Sequence, residues 1–145
     1  MTLRHFIAAL AVVCLVAGCG SGPVRRITPS QVSIQELSAQ PGGQWKLTLR
    51  IQNYSTVPMT YASLHGTLYV AGADVGTIDV KTDFDIPANS ADVVDTVVHA
   101  SATLPARDID YKIEGTIVTR EPKDEFKFNR SSRLSPTPGL PNTWR

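Results

Sequence analysis

With 145 residues and a formal net charge of +1, the chain is about the size of one domain and carries no charge excess suited to a polyanion. Aromatic residues make up 7% of it, and no basic stripe is interleaved with them, which argues against a nucleic-acid interface. Its two cysteines are Cys14 and Cys19; neither falls in the region that reads as a folded domain, which excludes a disulfide, a cysteine metal site or a redox pair there.

The chain opens on Arg4 and His5, followed by an apolar run from Phe6 to Ala17. That run is too short to cross a bilayer as a helix and fits a secretory signal peptide. It closes on Val16-Ala17-Gly18-Cys19, which resembles the bacterial lipobox. Cleavage between Gly18 and Cys19 would remove residues 1–18 as the signal peptide. The Cys19 thiol would take a diacylglyceryl group, and the freed amine a further acyl chain such as palmitate. Several chains are needed because one alone holds only marginally, at about 0.8 kcal/mol per buried methylene.

Residues 19–29 then read as the lipidated cysteine and a flexible tether, led by Gly20-Ser21-Gly22-Pro23. Gly20 stands where an aspartate would signal inner-membrane retention, so the expected location is the outer membrane, facing the periplasm. Arg25 and Arg26 lie in this tether, either solvated or against anionic headgroups. Loss of Arg4 with the signal leaves 13 basic residues against 13 acidic ones.

Beyond the tether the pattern is that of strands. Gln31 to Leu37 alternates apolar and polar residues, and Pro41-Gly42-Gly43 supplies a turn. Trp45, Leu47, Leu49 and Ile51 form the clearest inward set, with Lys46, Thr48, Arg50 and Gln52 outward. Asn53 to Pro58 interrupts the pattern. The next strand runs from Thr60 to Val70, with Ala62, Leu64, Gly66, Leu68 and Val70 on one face. Ala71-Gly72-Ala73-Asp74 turns it into Val75 to Val80. Lys81 to Pro87 reads as a polar break, followed by strands at Val93 to Val98, Ile109 to Ile117 and Glu125 to Leu134, the last carrying Phe126 and Phe128. Several short strands between turn signals predict an all-β, antiparallel β-sandwich over residues 30–134. The Pro-rich stretch 135–145 is expected to be a disordered or extended tail.

Four stretches resemble the late embryogenesis abundant type 2 family, also called the water stress and hypersensitive response (WHy) domain. They are Leu47 to Asn53, the hairpin Leu68 to Gly76, Ile86-Pro87-Ala88-Asn89-Ser90, and Tyr111 to Gly115. They recur in the family's order over about Ser33 to Leu134. The family follows its turn asparagine, here Asn53, with proline; this chain delays proline to Pro58. The resemblance implies a Greek-key sandwich of fibronectin-III or immunoglobulin type, and an association with desiccation, osmotic or freezing stress. It implies no catalytic residues.

Candidate sites are few. His65 and His99 lie on different strands without a partner motif and read as solvated or structural. Asp79, Asp83, Asp85, Asp92 and Asp95 supply hard oxygen ligands in principle, but without the glycine and spacing of a calcium loop they read as a solvated acidic face. No Gly-x-Ser-x-Gly elbow is present. Tyr54, Val57, Met59, Tyr61 and Tyr69 fall near one turn and suit a partner patch; residues packed over the sandwich end give the same pattern. The expectation is therefore a non-catalytic, monomeric domain with no metal and no cofactor. Its partners are the membrane, through the lipid anchor, and client proteins or one envelope protein.

Overall fold

The alternation of Trp45 to Ile51 becomes β2 (Gln44–Gln52), in which Trp45, Leu47, Leu49 and Ile51 are buried while Lys46 and Arg50 face solvent. Successive side chains of a strand point to opposite faces, so covering one face buries one set only. The computed structural model describes residues 22–100 and 102–145. Its other strands are β1 (Gln31–Gln40), β3 (Met59–Val70), β4 (Ala73–Ile86), β5 (Ala91–His99), β6 (Ile109–Glu121), β7 (Lys123–Leu134) and β8 (Thr143–Trp144).

They form two antiparallel sheets, in the orders β5-β2-β1-β8 and β4-β3-β6-β7. Hairpins join β1 to β2, β3 to β4 and β6 to β7, and the chain changes sheet after β2, β4, β5 and β7. This is the Greek-key connectivity of a fibronectin-III-like sandwich, as the sequence pattern and the resemblance implied. Leu37, Leu47, Leu49 and Ile51 of one sheet meet Leu64, Leu68, Ile78, Ile113 and Ile117 of the other, all fully buried. Each such side chain contributes about 1.5–3 kcal/mol. Among the described residues, every strand and the core lie within residues 31–144, so a fragment from Gly22 to Arg145 carries both sheets of the sandwich.

Two glycines set the spacing inside the second sheet. Gly66 and Gly115 are cross-strand partners, and a Cβ on Gly115 would collide with the His65 carbonyl oxygen. Phe128, paired with Gly115, brings its ring to 3.1 Å from where a Cβ on Gly66 would stand. The aromatic ring thus covers the gap that the glycines leave. Tyr111 ties the two sheets together, its hydroxyl accepting from the Ile34 amide at 3.2 Å beside the β1 bulge.

Several sequence expectations need correction. Lys81 to Asp85 is no break, because β4 runs on to Ile86. The period of two continues there, with Thr82 and Phe84 in the half-buried slots and Lys81, Asp83 and Asp85 exposed. Polar Thr82 in an inward slot disguised the alternation. The strand beginning at Gln31 extends past Leu37 to Gln40. In β3 the ladder shifts between Tyr61 and Ser63. Met59 and Tyr61 are therefore inward before the shift and Leu64, Leu68 and Val70 after it, while Ala62 is only partly buried. The stretch 135–145 is not a disordered tail: Thr143 and Trp144 pair with Ser38 and Leu37, and both are buried. Trp144 supplies the apolar anchor, and its indole nitrogen donates to the Arg107 carbonyl at 3.2 Å.

Candidate functional site

Asn53 ends β2 at one pole of the sandwich, where the chain must leave one sheet for the other. Its side chain is fully buried. The amide nitrogen donates to the carbonyls of Val57 at 3.0 Å, Ile86 at 3.1 Å and Pro87 at 3.1 Å. Its Oδ1 accepts from the Ser55 amide at 2.8 Å, and its own backbone N–H donates to Ser90 at 2.8 Å. Buried polar groups are costly unless partnered, and here the Asn53 side-chain amide, its Oδ1 and its backbone N–H all have partners. This one residue clamps the 53–58 turn against the 86–90 turn.

Ser55, also fully buried, extends the cluster toward the chain's start. Its hydroxyl accepts from the Thr28 amide at 2.9 Å. Thr56 accepts from the Arg26 amide at 2.8 Å, donates through its hydroxyl to Val24 at 2.8 Å, and donates through its backbone N–H to Arg26 at 3.0 Å. Residues 24–28 are thus strapped along the 55–56 turn. The expectation of a flexible tether through residue 29 is corrected for these residues. The signal that could have shown it is the hydroxyl pair Ser55-Thr56, placed to satisfy a passing backbone.

The sequence-predicted patch divides. Tyr54 is exposed and Val57 half-buried, but Met59 and Tyr61 are fully buried and cannot form a partner patch. The Tyr61 and Ser30 hydroxyls share a hydrogen bond at 2.6 Å, and the Tyr61 ring stacks on Phe84 with centroids 6.0 Å apart. Burial, partly offset by Ser30, raises the Tyr61 pKa. Tyr69 lies far along β3, on the outer face of the second sheet, with the Lys112 ammonium 4.9 Å from its ring centroid. Gly18 and Cys19, the cleavage and lipidation residues, lie outside the described residues.

The remaining candidates do not converge. His65 faces Asp79 across β3 and β4 at 3.3 Å, whereas His99 ends β5 opposite Gln44. Asp83 pairs with Arg120 at 2.9 Å, Asp85 accepts from Thr60 at 2.6 Å, and Asp92 accepts from the Val93 amide at 2.8 Å. Asp95 accepts from Lys46 at 2.8 Å and Thr48 at 2.7 Å, which holds its carboxyl below the usual range. Among the described residues, no three His, Cys, Asp or Glu side chains come together as a metal set. On the outer face of the second sheet, Tyr69, Lys112, Ser131 and the Asp110–Arg133 pair line a shallow concavity of about 730 Å³. Arg133 holds the Asp110 carboxyl down, and Lys112 followed by Tyr69 does the same for Glu114. Four charges here cancel in pairs.

No family model matches the sequence, and no curated protein matches it. Among solved structures, the chain is similar to AT1g01470 from Arabidopsis thaliana at 14% identity, over 81% of this chain and 84% of that one, with a TM-score of 0.49. It is similar to At2g46140.1, provisionally described as a late embryogenesis abundant (LEA) protein, at 12% identity, over 93% and 86%, with a TM-score of 0.43. It is also similar to a protein from Archaeoglobus fulgidus at 14% identity, over 77% and 98%, with a TM-score of 0.43.

Proposed function

We propose that this chain is a lipid-anchored, periplasm-facing lipoprotein of the outer membrane. Its WHy-like sandwich is non-catalytic and protects membrane or proteins during desiccation, osmotic or freezing stress. One observation supports the reading above the others: the stretches that carry the family resemblance meet in space. Asn53 bonds Ile86, Pro87 and Ser90 of the Ile86–Ser90 stretch. Leu68, Tyr69 and Val70 of the hairpin stretch pair with Ile113, Lys112 and Tyr111 of the fourth. The physical route is a hydrated, charge-paired strand surface held at high local concentration by the anchor.

The test is protection of an unrelated enzyme through drying and freeze-thaw by residues 22–145, against an equal mass of an inert globular protein. Excess protection is the expected result; protection equal to the control defeats the stress role. Cys19→Ala is expected to release the full chain from membranes, and unchanged retention defeats the anchor.

A second reading, an envelope adaptor, draws support from β5, an edge strand that exposes Val93 and Val97. Such an edge suits strand addition by one partner. Retention of a single partner that is lost on V93K/V97K, without protection of unrelated enzymes, favours it over the first.

A further inference from the structure

We propose that the pole built on Ser55 and Thr56 is a docking face for an anionic bilayer surface, formed by Val24, Arg25, Arg26, Ile27 and Tyr54. Among the described residues six large apolar side chains are exposed, and three of them, Val24, Ile27 and Tyr54, belong to this strapped segment and the turn beneath it. The hydrogen bonds from Thr56 to Val24 and Arg26 fix the segment, so these side chains are presented by an ordered backbone. Arg25 and Arg26 are exposed, and among the described residues neither forms a salt bridge. An amphipathic tyrosine, aliphatic side chains and unpaired guanidinium groups form the composition that sits at a headgroup boundary.

Chain length points to the same occupant. The face rests here on the lipid-anchor reading: Val24 follows Cys19 by five residues, which reach at most about 17 Å when fully extended. A chain anchored at Cys19 therefore keeps this pole near the bilayer, within reach of the headgroups. Acidic side chains also lie at this end: Asp85 and Glu121 flank Thr60 and Asp124 pairs with Thr119 on the second sheet, while Asp92 pairs with Ile51 on the first. Asp85 is occupied by the Thr60 hydroxyl at 2.6 Å, Asp92 by the Val93 amide at 2.8 Å and Asp124 by the Glu125 amide at 2.8 Å.

The test uses residues 22–145, which lack the anchor, so that its result is independent of lipidation. Backbone resonances are followed by NMR while phosphatidylglycerol bilayer discs are added, with phosphatidylcholine discs as the comparison. Broadening is expected at Val24 to Ile27 and Tyr54 but not at Leu140, and it should weaken with added salt. R25Q/R26Q should weaken the anionic interaction roughly thirtyfold, and Tyr54→Ser should weaken it in both disc types. Uniform broadening, equal response to the two lipids, no response at all, or an unchanged R25Q/R26Q protein would each overturn the proposal. Membrane release of Cys19→Ala in cells reports the anchor separately, so failure of one reading is distinguishable from failure of the other.

Discussion

The side-chain amide of Asn53 donates to the main-chain carbonyl of Ile86 at 3.1 Å, joining two turns that lie 33 positions apart. Neither Asp nor Ala can replace it. Aspartate puts a carboxylate against three carbonyl oxygens, and alanine leaves those carbonyls and the Ser55 amide short of a partner. Asn53→Ala should cost about 2–4 kcal/mol in urea unfolding, and Asn53→Asp at least as much. Tyr54→Ser next to it should stay within about 0.5 kcal/mol, since its side chain reaches solvent.

The two-residue loop between β3 and β4 points in the other direction. Val70 pairs with Ala73, and both Ala71 (φ 50°) and Gly72 (φ 82°) are left-handed, which is the geometry of a type I′ turn. Alanine is strained there by its Cβ. Ala71→Gly or Ala71→Asn should therefore stabilise the protein by about 0.5–1 kcal/mol, read from the urea midpoint at an unchanged slope.

Removal of residues 135–145 should destabilise the sandwich rather than trim a loose end. The loss uncovers Leu37 and strips Trp144 from its buried site, and Trp144→Ala alone should cost about 3–5 kcal/mol. A truncated protein with unchanged thermal stability would show that β8 contributes nothing to the fold.

Acid should weaken the fold through its exposed carboxylates. Lys46 and then Thr48 hold Asp95 low, Arg133 holds Asp110 low, and Lys112 and then Tyr69 hold Glu114 low. A carboxyl depressed in the folded state stabilises fully above its unfolded pKa, about 4, and that contribution is lost as pH falls through the folded value. These exposed pairs are solvent-screened, so the effect of each is small. Stability should be flat from pH 7 to 5 and decline below about pH 4, with a shallower decline in the Asp95→Asn/Asp110→Asn double variant.

The sequence made the half-buried strands readable because one covered face imposes a period of two. Trp45 to Ile51 is the clear case. Where a strand's inward slots hold polar residues, as at Thr82, the same signal vanishes. A two-residue strand such as Thr143–Trp144 is too short to show any period. Met59 and Tyr61 read as surface residues in the sequence but are buried, because a ladder shift reverses which parity faces inward, and such shifts are set by both neighbouring strands. Asn53 stood out as a turn residue, but its role depends on carbonyls brought to it by β4. The hydroxyls of Ser55 and Thr56 signal that a backbone passes them, but nothing local to Thr28 marks it as that backbone.

The strapping of residues 24–28 across Ser55 and Thr56 also decides how the molecule responds to mechanical pull. Tension on the chain ahead of Val24 reaches the Thr56 and Ser55 contacts first, ahead of any ladder bond in β1. A drag on this end of the chain is thus met by a short peripheral splice, outside the ladders that hold the two sheets.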